Sequence, residues 1–153
     1  MKNLFILFVV FSLSTYSAFS QKNPPEAVKK AFVQKYATAK SVKWDNESAK
    51  EWEAEFTMNG KEMSASYDIE GKWLESETEI SSKELPATVS ATLAKEFAGY
   101  KTGEMSIFES PEMNGFELAL KKGQSSLEVI IDKSGTVLKK TDIKKEDEKD
   151  EKK

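Results

Sequence analysis

The chain has 153 residues, 39% of them hydrophobic, and this is enough for one ordinary globular core. It contains no cysteine and no histidine, which excludes disulfide chemistry and every catalytic or metal site that needs a thiolate or an imidazole. The formal net charge is −3, arginine is absent, and no basic stripe alternates with aromatic residues, so nucleic acid is a poor candidate partner.

The first 20 residues have the features of a secretory signal peptide. Lys2 gives a positive start, Leu4–Leu13 form an apolar stretch, and Ala18-Phe19-Ser20 places small residues before a cut predicted after Ser20. The apolar stretch is about half as long as the roughly 20 residues of a membrane-spanning helix. We therefore expect a periplasmic or secreted protein, with no stable membrane insertion after cleavage and, since no cysteine stands at the cut, no lipoprotein anchor.

A predicted amphipathic helix opens the region after the signal. It starts at Pro24-Pro25 with Asn23 as the N-cap, and Val28, Phe32 and Tyr36 recur every four residues on one face. From Ser41 the hydrophobic period changes to two, which is typical of half-buried strands. Four antiparallel strands are predicted, carrying Val42 and Trp44, then Trp52 to Met58, then Met63 to Ile69, then Trp73. Asn59-Gly60 favours a two-residue type I′ hairpin.

The same pattern restarts after residue 84. A shift of 61 residues places Pro25 and Val28 on Pro86 and Val89, and the glycine hairpin and Asp-x-x-Gly turn follow in the same order. We therefore predict an α+β fold that is a tandem duplication of a helix plus four-stranded antiparallel sheet unit. The domain is 21–143, with repeats 24–80 and 85–143, and a disordered tail of ten charged residues, 144–153.

The linker between the repeats is short, roughly Ser81 to Glu84. We expect the two sheets to lie edge to edge or to pack closely, because a short linker does not allow independent motion. The sequence leaves open whether they merge into one sheet.

Alternating glutamates in the second strand are the first candidate for chemistry. Glycoside hydrolysis uses two carboxylates at a defined separation, and Glu51, Glu53 and Glu55 supply carboxylates. Because Trp52 and Phe56 occupy the opposite face, we interpret the glutamates as a solvent-exposed strand face. General acid–base catalysis also needs a carboxyl with a raised pKa in a dry pocket, and the sequence places none. We therefore predict no catalytic residues and a protein that is not an enzyme.

Two turn motifs, Asp68-x-Glu70-Gly71 and Asp132-x-x-Gly135, are similar to fragments of calcium loops. The remaining oxygen ligands of such a loop are missing, so a hairpin turn is the simpler interpretation. A Ser-Lys nucleophile pair is chemically conceivable, but no spacing selects one pair among the many serines and lysines. We predict neither a metal nor a cofactor.

The three tryptophans all fall in the first repeat. A tryptophan is more often core than contact, but the face of a sheet that no helix covers is a common site of protein binding, and aromatic residues dominate such contacts. We predict Trp44, Tyr67 and Trp73 as the binding residues, on the open sheet face or at its turns.

A series of motifs in the first repeat identifies a family resemblance. They are Ala31-Phe-Val-Gln-Lys-Tyr-x3-Lys-Ser-Val-Lys-Trp44, Trp52-Glu-Ala-Glu-Phe56, Asn59-Gly-Lys-Glu62 and Tyr67-Asp-x-x-Gly-Lys-Trp-Leu74. This series resembles the PepSY-like family, also described as β-lactamase-inhibitor-protein-like (BLIP-like) and typical of the envelope of Bacteroidota. The resemblance implies a duplicated unit of helix and antiparallel sheet. It also implies a periplasmic or secreted, non-enzymatic role, such as binding or inhibiting a peptidase or other envelope hydrolase.

The leading functional prediction is a secreted binding module whose partner is an unidentified envelope protein or peptide. The alternative is a small-ligand or cell-envelope sensing domain that uses an apolar groove between helix and sheet. A carboxylate-based hydrolase is the third hypothesis.

Overall fold

The computed structural model describes residues 23–143. The predicted signal peptide and the charged tail lie outside the described residues. The elements are α1 (Glu26–Lys35), β1 (Lys40–Ser48), β2 (Glu51–Met58), β3 (Lys61–Asp68), β4 (Trp73–Glu79), a 3-10 helix (Ser82–Glu84), α2 (Ala87–Glu96), β5 (Lys101–Glu109), β6 (Asn114–Lys122), β7 (Ser125–Ile131) and β8 (Val137–Asp142). Neither α-helix of the described range has the length and apolar content needed to cross a membrane.

All eight strands form one antiparallel sheet in the order in which they occur along the chain. The two halves join through β4 and β5, where Thr78 pairs with Ile107. The sequence left open whether the two sheets merge, and the pairing of β4 with β5 shows that they join edge to edge. Each half has the same order of one helix and four strands. Their origin by tandem duplication stays a prediction.

Both α-helices pack on the same face of this sheet. Directly opposed residues of antiparallel strands share a face, and Ala65 in the α1 core pairs with Ser76, which pairs with Glu109. Two residues before Glu109, Ile107 pairs with Phe116, which packs against the α2 core. We call this side of the sheet the helix face and the other side the open face.

Each helix covers a hydrophobic cluster on its own half of the sheet. Val28 and Phe32 of α1 are 0% and 4% exposed, and the Phe32 ring centroid lies 5.0 Å from that of Phe56 and 5.1 Å from that of Trp44. Each large apolar side chain buried in this way stabilises the fold by about 1.5–3 kcal/mol. The second cluster consists of Val89, Phe97, Leu118, Leu120, Leu127, Val129 and Ile131.

The turns and helix ends follow local chemistry with one exception. Asn59 and Gly60 both have positive φ, 54° and 78°, as a type I′ turn requires, so the predicted hairpin is confirmed. The predicted Asn23 N-cap is wrong. The N-cap is Pro25, whose carbonyl accepts the first intrahelical hydrogen bond from the Lys29 N–H at 3.1 Å. The helix begins there because the two prolines hold the preceding backbone extended.

Candidate functional site: the open sheet face

Glutamates and serines alternate across the open face of the sheet. One cross-strand row contains Glu53, Ser66 and Glu75 on β2, β3 and β4. A second row, one pleat further along, places Glu55, Ser64 and Glu77 opposite one another. A third contains Glu79, Ser106 and Glu117 on β4, β5 and β6. Glu128 on β7 lies on the same face, opposite Ala119. This alternation puts carboxyl groups from four strands on one surface.

Much of this face is buried although both helices lie on the other side. Glu53 is 6% exposed and Glu128 is 8% exposed, while Phe108 and Ile130, which share the face with Glu77 and Glu117, are 5% and 1% exposed. The helices therefore do not account for the burial of this face.

Charges of one half of the sheet act on carboxyls of the other half. Strands β4 and β7 are three strand spacings apart in the sheet. The charges of Glu128 on β7 and Lys139 on β8 nevertheless both act on the pKa of Glu75 on β4. The electrostatics of the open face are therefore shared between the two halves.

Glu53 has an unfavourable environment for a charged carboxylate. Burial, and then the neighbouring carboxylates of Glu47, Glu55 and Glu77, raise its pKa to about 8, against a smaller lowering by a hydrogen bond from Ser64. Its Oε1 is buried and has no hydrogen-bond partner. A buried oxygen in this state costs free energy unless a proton or a ligand neutralises the group.

Glu77 and Glu117 form a close pair at the centre of the face. Burial raises the pKa of both, each carboxyl shares a hydrogen bond with the other, and the charge of Glu77 raises the pKa of Glu117. The Ser106 hydroxyl donates to Glu77 Oε2 at 3.0 Å. Two carboxyls this close hold one proton between them, because both cannot ionise without strong repulsion.

Two further carboxyls complete the set. Burial, then the charges of Glu77 and Glu51, raise the pKa of Glu75 to about 7. Burial and the Glu77 charge raise the pKa of Glu128, whose Oε1 is buried without a partner. Lys139 lowers the pKa of several of these groups, but within the described residues no ion pair at 4.0 Å or less joins it to a carboxylate. We call the following five residues the carboxyl cluster: Glu53, Glu75, Glu77, Glu117 and Glu128.

The carboxyl cluster corrects one sequence prediction. Strand alternation placed Glu51, Glu53 and Glu55 on the face opposite the core correctly, but Glu53 is buried instead of solvent-exposed. The cluster also contains carboxyls with a raised pKa, which the sequence alone did not locate. Residue alternation reports which side of a strand a residue occupies, and it contains no information on how far water is removed from that side.

The predicted aromatic contacts lie on the other side of the sheet. Tyr67 is 1% exposed and belongs to the α1 core, and Trp44 packs edge-on against Phe32. Trp73 is half-buried beneath α1, with Lys35 Nζ 4.0 Å from its ring centroid. Their placement on the open face is therefore wrong. Each belongs to the apolar alternation of its strand, which the helix covers.

The two Asp-x-x-Gly motifs are hairpin turns. Asp132 Oδ1 accepts hydrogen bonds from the backbone N–H groups of Ser134 and Thr136 at 2.8 and 2.9 Å, and Asp68 Oδ1 accepts from Lys72 N–H at 2.8 Å. The Gly71 and Gly135 N–H groups also donate to the Asp68 and Asp132 carbonyls, both at 2.9 Å, so the hairpin interpretation is confirmed. Among residues 23–143, no group of three or more acidic side chains is arranged to hold a metal ion.

A pocket of 350 Å³ lies on the helix face, between the end of α2 and strands β5 and β6. It is mainly apolar, and its lining includes Leu93, Phe97, Tyr100 and Leu120. It lies on the opposite side of the sheet from the carboxyl cluster, so the cluster carboxyls do not act in it.

One family model matches most of the chain, and several solved structures share its fold. The pattern of the family described as "Putative beta-lactamase-inhibitor-like, PepSY-like" matches residues 13–65 and 50–139. A BLIP-like protein from Bacteroides fragilis NCTC 9343 has a TM-score of 0.72 and 22% identity, with 84% of this chain and 93% of that chain covered.

Two further solved structures share the fold. One, from Bacteroides eggerthii DSM 20697, is described among "putative periplasmic proteins" and has a TM-score of 0.70 and 23% identity over 80% of this chain and 91% of that one. The other, a DUF2874 family protein from Bacteroides uniformis ATCC 8492, has a TM-score of 0.68 and 20% identity over 77% and 88%. No curated protein matches the chain. The chain belongs to the PepSY-like, beta-lactamase-inhibitor-like family and has the fold of the BLIP-like proteins.

Proposed function

We propose that this protein is a periplasmic or secreted, non-enzymatic binding module that engages an envelope protein or peptide through the open face. The observation that carries the proposal is the burial of polar groups on a face that the helices leave uncovered. The unpartnered oxygens of Glu53 and Glu128 are costly to the isolated fold. Selection for folding alone would favour apolar or hydrogen-bonded residues at such positions, so a role in binding explains them better.

The carboxyls alone do not support a hydrolase. An inverting glycosidase separates its two carboxyls by about 6.5–9.5 Å and a retaining one by about 5–5.5 Å, whereas Glu77 and Glu117 are joined by a hydrogen bond. The 350 Å³ pocket lies on the other face of the sheet. Carboxyls with raised pKa in this setting fit a binding surface that stays partly protonated. Inhibition of an envelope hydrolase, to which the name of the family points, is one form that binding could take.

The test is crosslinked capture of partners from envelope extract of the source organism, with variants that block one face at a time. Ser64→Arg places a long side chain among Glu55 and Glu77 on the open face, where its charge is compatible with folding. Ser90→Arg, on the exposed side of α2, is the matched control. We expect a protein captured by the wild type and by Ser90→Arg to be lost with Ser64→Arg.

A third arm addresses the aromatic residues predicted from the sequence. Trp44 and Trp73 are half-buried on the helix face and stay proposed contacts, which the Trp44→Ala/Trp73→Ala double variant tests. Tyr67, at 1% exposure, contributes to the core beneath α1. Loss of the partner with the folded tryptophan variant, but not with Ser64→Arg, would move the binding site to the helix face and refute the proposal.

The helix-face pocket supports a second candidate function. Its size is at the lower end of small-ligand sites, and it lies between α2 and the sheet, as the alternative prediction of an apolar groove requires. A thermal-shift screen with envelope metabolites tests it. A stabilising compound whose effect is lost with Leu93→Trp, which fills the pocket, would favour a sensing domain.

A further inference from the structure

The oxygens that lack partners in the carboxyl cluster point to the chemistry of a ligand. Glu53 and Glu128 are both more than nine-tenths buried, and each directs a buried Oε1 with no hydrogen-bond partner toward a face that carries Glu77 between them. Such an atom gains most from a donor that also brings positive charge, because a charge-assisted hydrogen bond is about twice as strong as a neutral one.

The charge balance of the face is strongly one-sided. The cluster contains five carboxyls, and among residues 23–143 Lys139 is the basic residue whose charge is felt at Glu75, Glu117 and Glu128. The other charged groups on this face are Lys40, Lys43, Asp45 and Glu47 of β1, Glu51 and Glu55 of β2, Glu62 and Asp68 of β3, Glu79 of β4, Lys101 and Glu104 of β5, and Lys121 of β6. The net charge of the open face is therefore negative, so a cation is the complementary ligand.

We propose that the carboxyl cluster is a binding site for a lysine or arginine side chain of a protein partner. The inference rests on the proposed function and adds the chemistry of the contact. An ammonium or guanidinium group has enough donors to serve the free oxygen of Glu53, beside Ser64 and Ser66 of the neighbouring strand. Glu128 lies on β7, five strands from Glu53 on β2, so its free oxygen takes a second cationic group of the same partner.

Binding of a cation must compete with protons at this site. Raised pKa values mean that several cluster carboxyls hold protons near neutral pH, and a bound cation favours their ionised form. Affinity should therefore rise with pH, with about one proton released for each cation bound, until the cluster is ionised. Simple attraction to exposed surface carboxylates shows no such change between pH 6 and 8, since those groups are already charged.

The experiment uses the mature protein, residues 21–153, and the probe peptide acetyl-Gly-Arg-Gly-Lys-Gly-amide at constant ionic strength. Carboxyl ¹³C resonances of the glutamates are followed by NMR at pH 6, 7 and 8. We expect saturable shifts at Glu53 and Glu128 and an affinity at least tenfold higher at pH 8 than at pH 6. Glu53→Gln should weaken binding at least fivefold, whereas Glu96→Gln, an equal charge change on the exposed end of α2, should change it less than twofold.

Three results would overturn the inference. They are an affinity independent of pH, equal losses with Glu53→Gln and Glu96→Gln, and equal binding of the matched peptide acetyl-Gly-Gln-Gly-Gln-Gly-amide. Tighter binding of spermidine than of the peptide would overturn the assignment to a protein side chain. If a variant does not fold, the change of peptide affinity with pH, measured on the wild type, still tests the inference. If the probe fails while Ser64→Arg still removes the captured partner, the open face binds by other chemistry and the proposed function stands.

Discussion

Replacing Glu53 by glutamine should make the protein more stable at high pH and remove part of its pH dependence. The pKa of Glu53 is near 4.5 when unfolded and about 8 in the folded protein. Between these values the folded state keeps a proton that the unfolded state has lost, so stability is highest at acidic pH and falls as pH rises toward 8. Integrated from pH 5 to pH 8, this one group lowers the free energy of unfolding by about 3–4 kcal/mol.

Glutamine has nearly the same shape and does not ionise, so Glu53→Gln should exceed the wild type by less than about 1 kcal/mol at pH 5 and by about 3–4 kcal/mol at pH 8. With a urea m-value of about 1.5 kcal/mol/M, the difference at pH 8 is about 2 M in the unfolding midpoint. Urea titrations at both pH values measure it, with Glu96→Gln on α2 as the control. Parallel pH profiles for the wild type and Glu53→Gln would refute the view that Glu53 is buried with a raised pKa.

Further predictions concern packing. Gly115→Ala should destabilise the fold by about 1–3 kcal/mol, because the new Cβ would lie 2.7 Å from the Ile131 carbonyl oxygen, while at Gly103 the closest atom is 3.6 Å away and alanine should have little effect by urea titration. Tyr67→Phe should be neutral or stabilising, because the Tyr67 hydroxyl is buried without a partner, whereas Tyr67→Ala should cost about 3–5 kcal/mol of unfolding free energy. Equal losses of stability for the two variants in calorimetry would show that the hydroxyl is bonded. Phe32→Ala should cost about 3–5 kcal/mol in urea titration by removing the ring that contacts Trp44 and Phe56, and a loss below 1 kcal/mol would contradict the packing of α1 on the sheet.

The sequence predicted the elements well because their signals are local. Hydrophobic periods of four and two residues identified α1 and the strands of the first repeat, and Asn59-Gly60 identified a hairpin. The spacing of the repeats predicted a second unit of helix and four strands, which the structure contains. These features depend on neighbours a few residues apart in the chain.

The functional surface was only half predictable. Alternation assigned Glu53 to the correct side, but its pKa depends on its burial in the folded sheet and on the charge of residues as distant in sequence as Glu77. The tryptophans were placed on the open face or at its turns because aromatic residues are common at interfaces, although Trp44 shares the period of Val42, which also packs against the α1 core. The alternation of β1 alone, without the preference of aromatic residues for interfaces, predicts that Trp44 lies on the helix face.

The central claim, that the open face binds the partner, is tested most directly by site-specific photocrosslinking. Because the chain has no cysteine, a single Glu55→Cys variant carries a maleimide photocrosslinker at one exposed position of the open face, and Ser90→Cys carries it on α2. We predict a crosslinked partner from Glu55→Cys in envelope extract, competed by excess unlabelled wild type, and no such product from Ser90→Cys. A competed product from Ser90→Cys with none from Glu55→Cys would contradict the account.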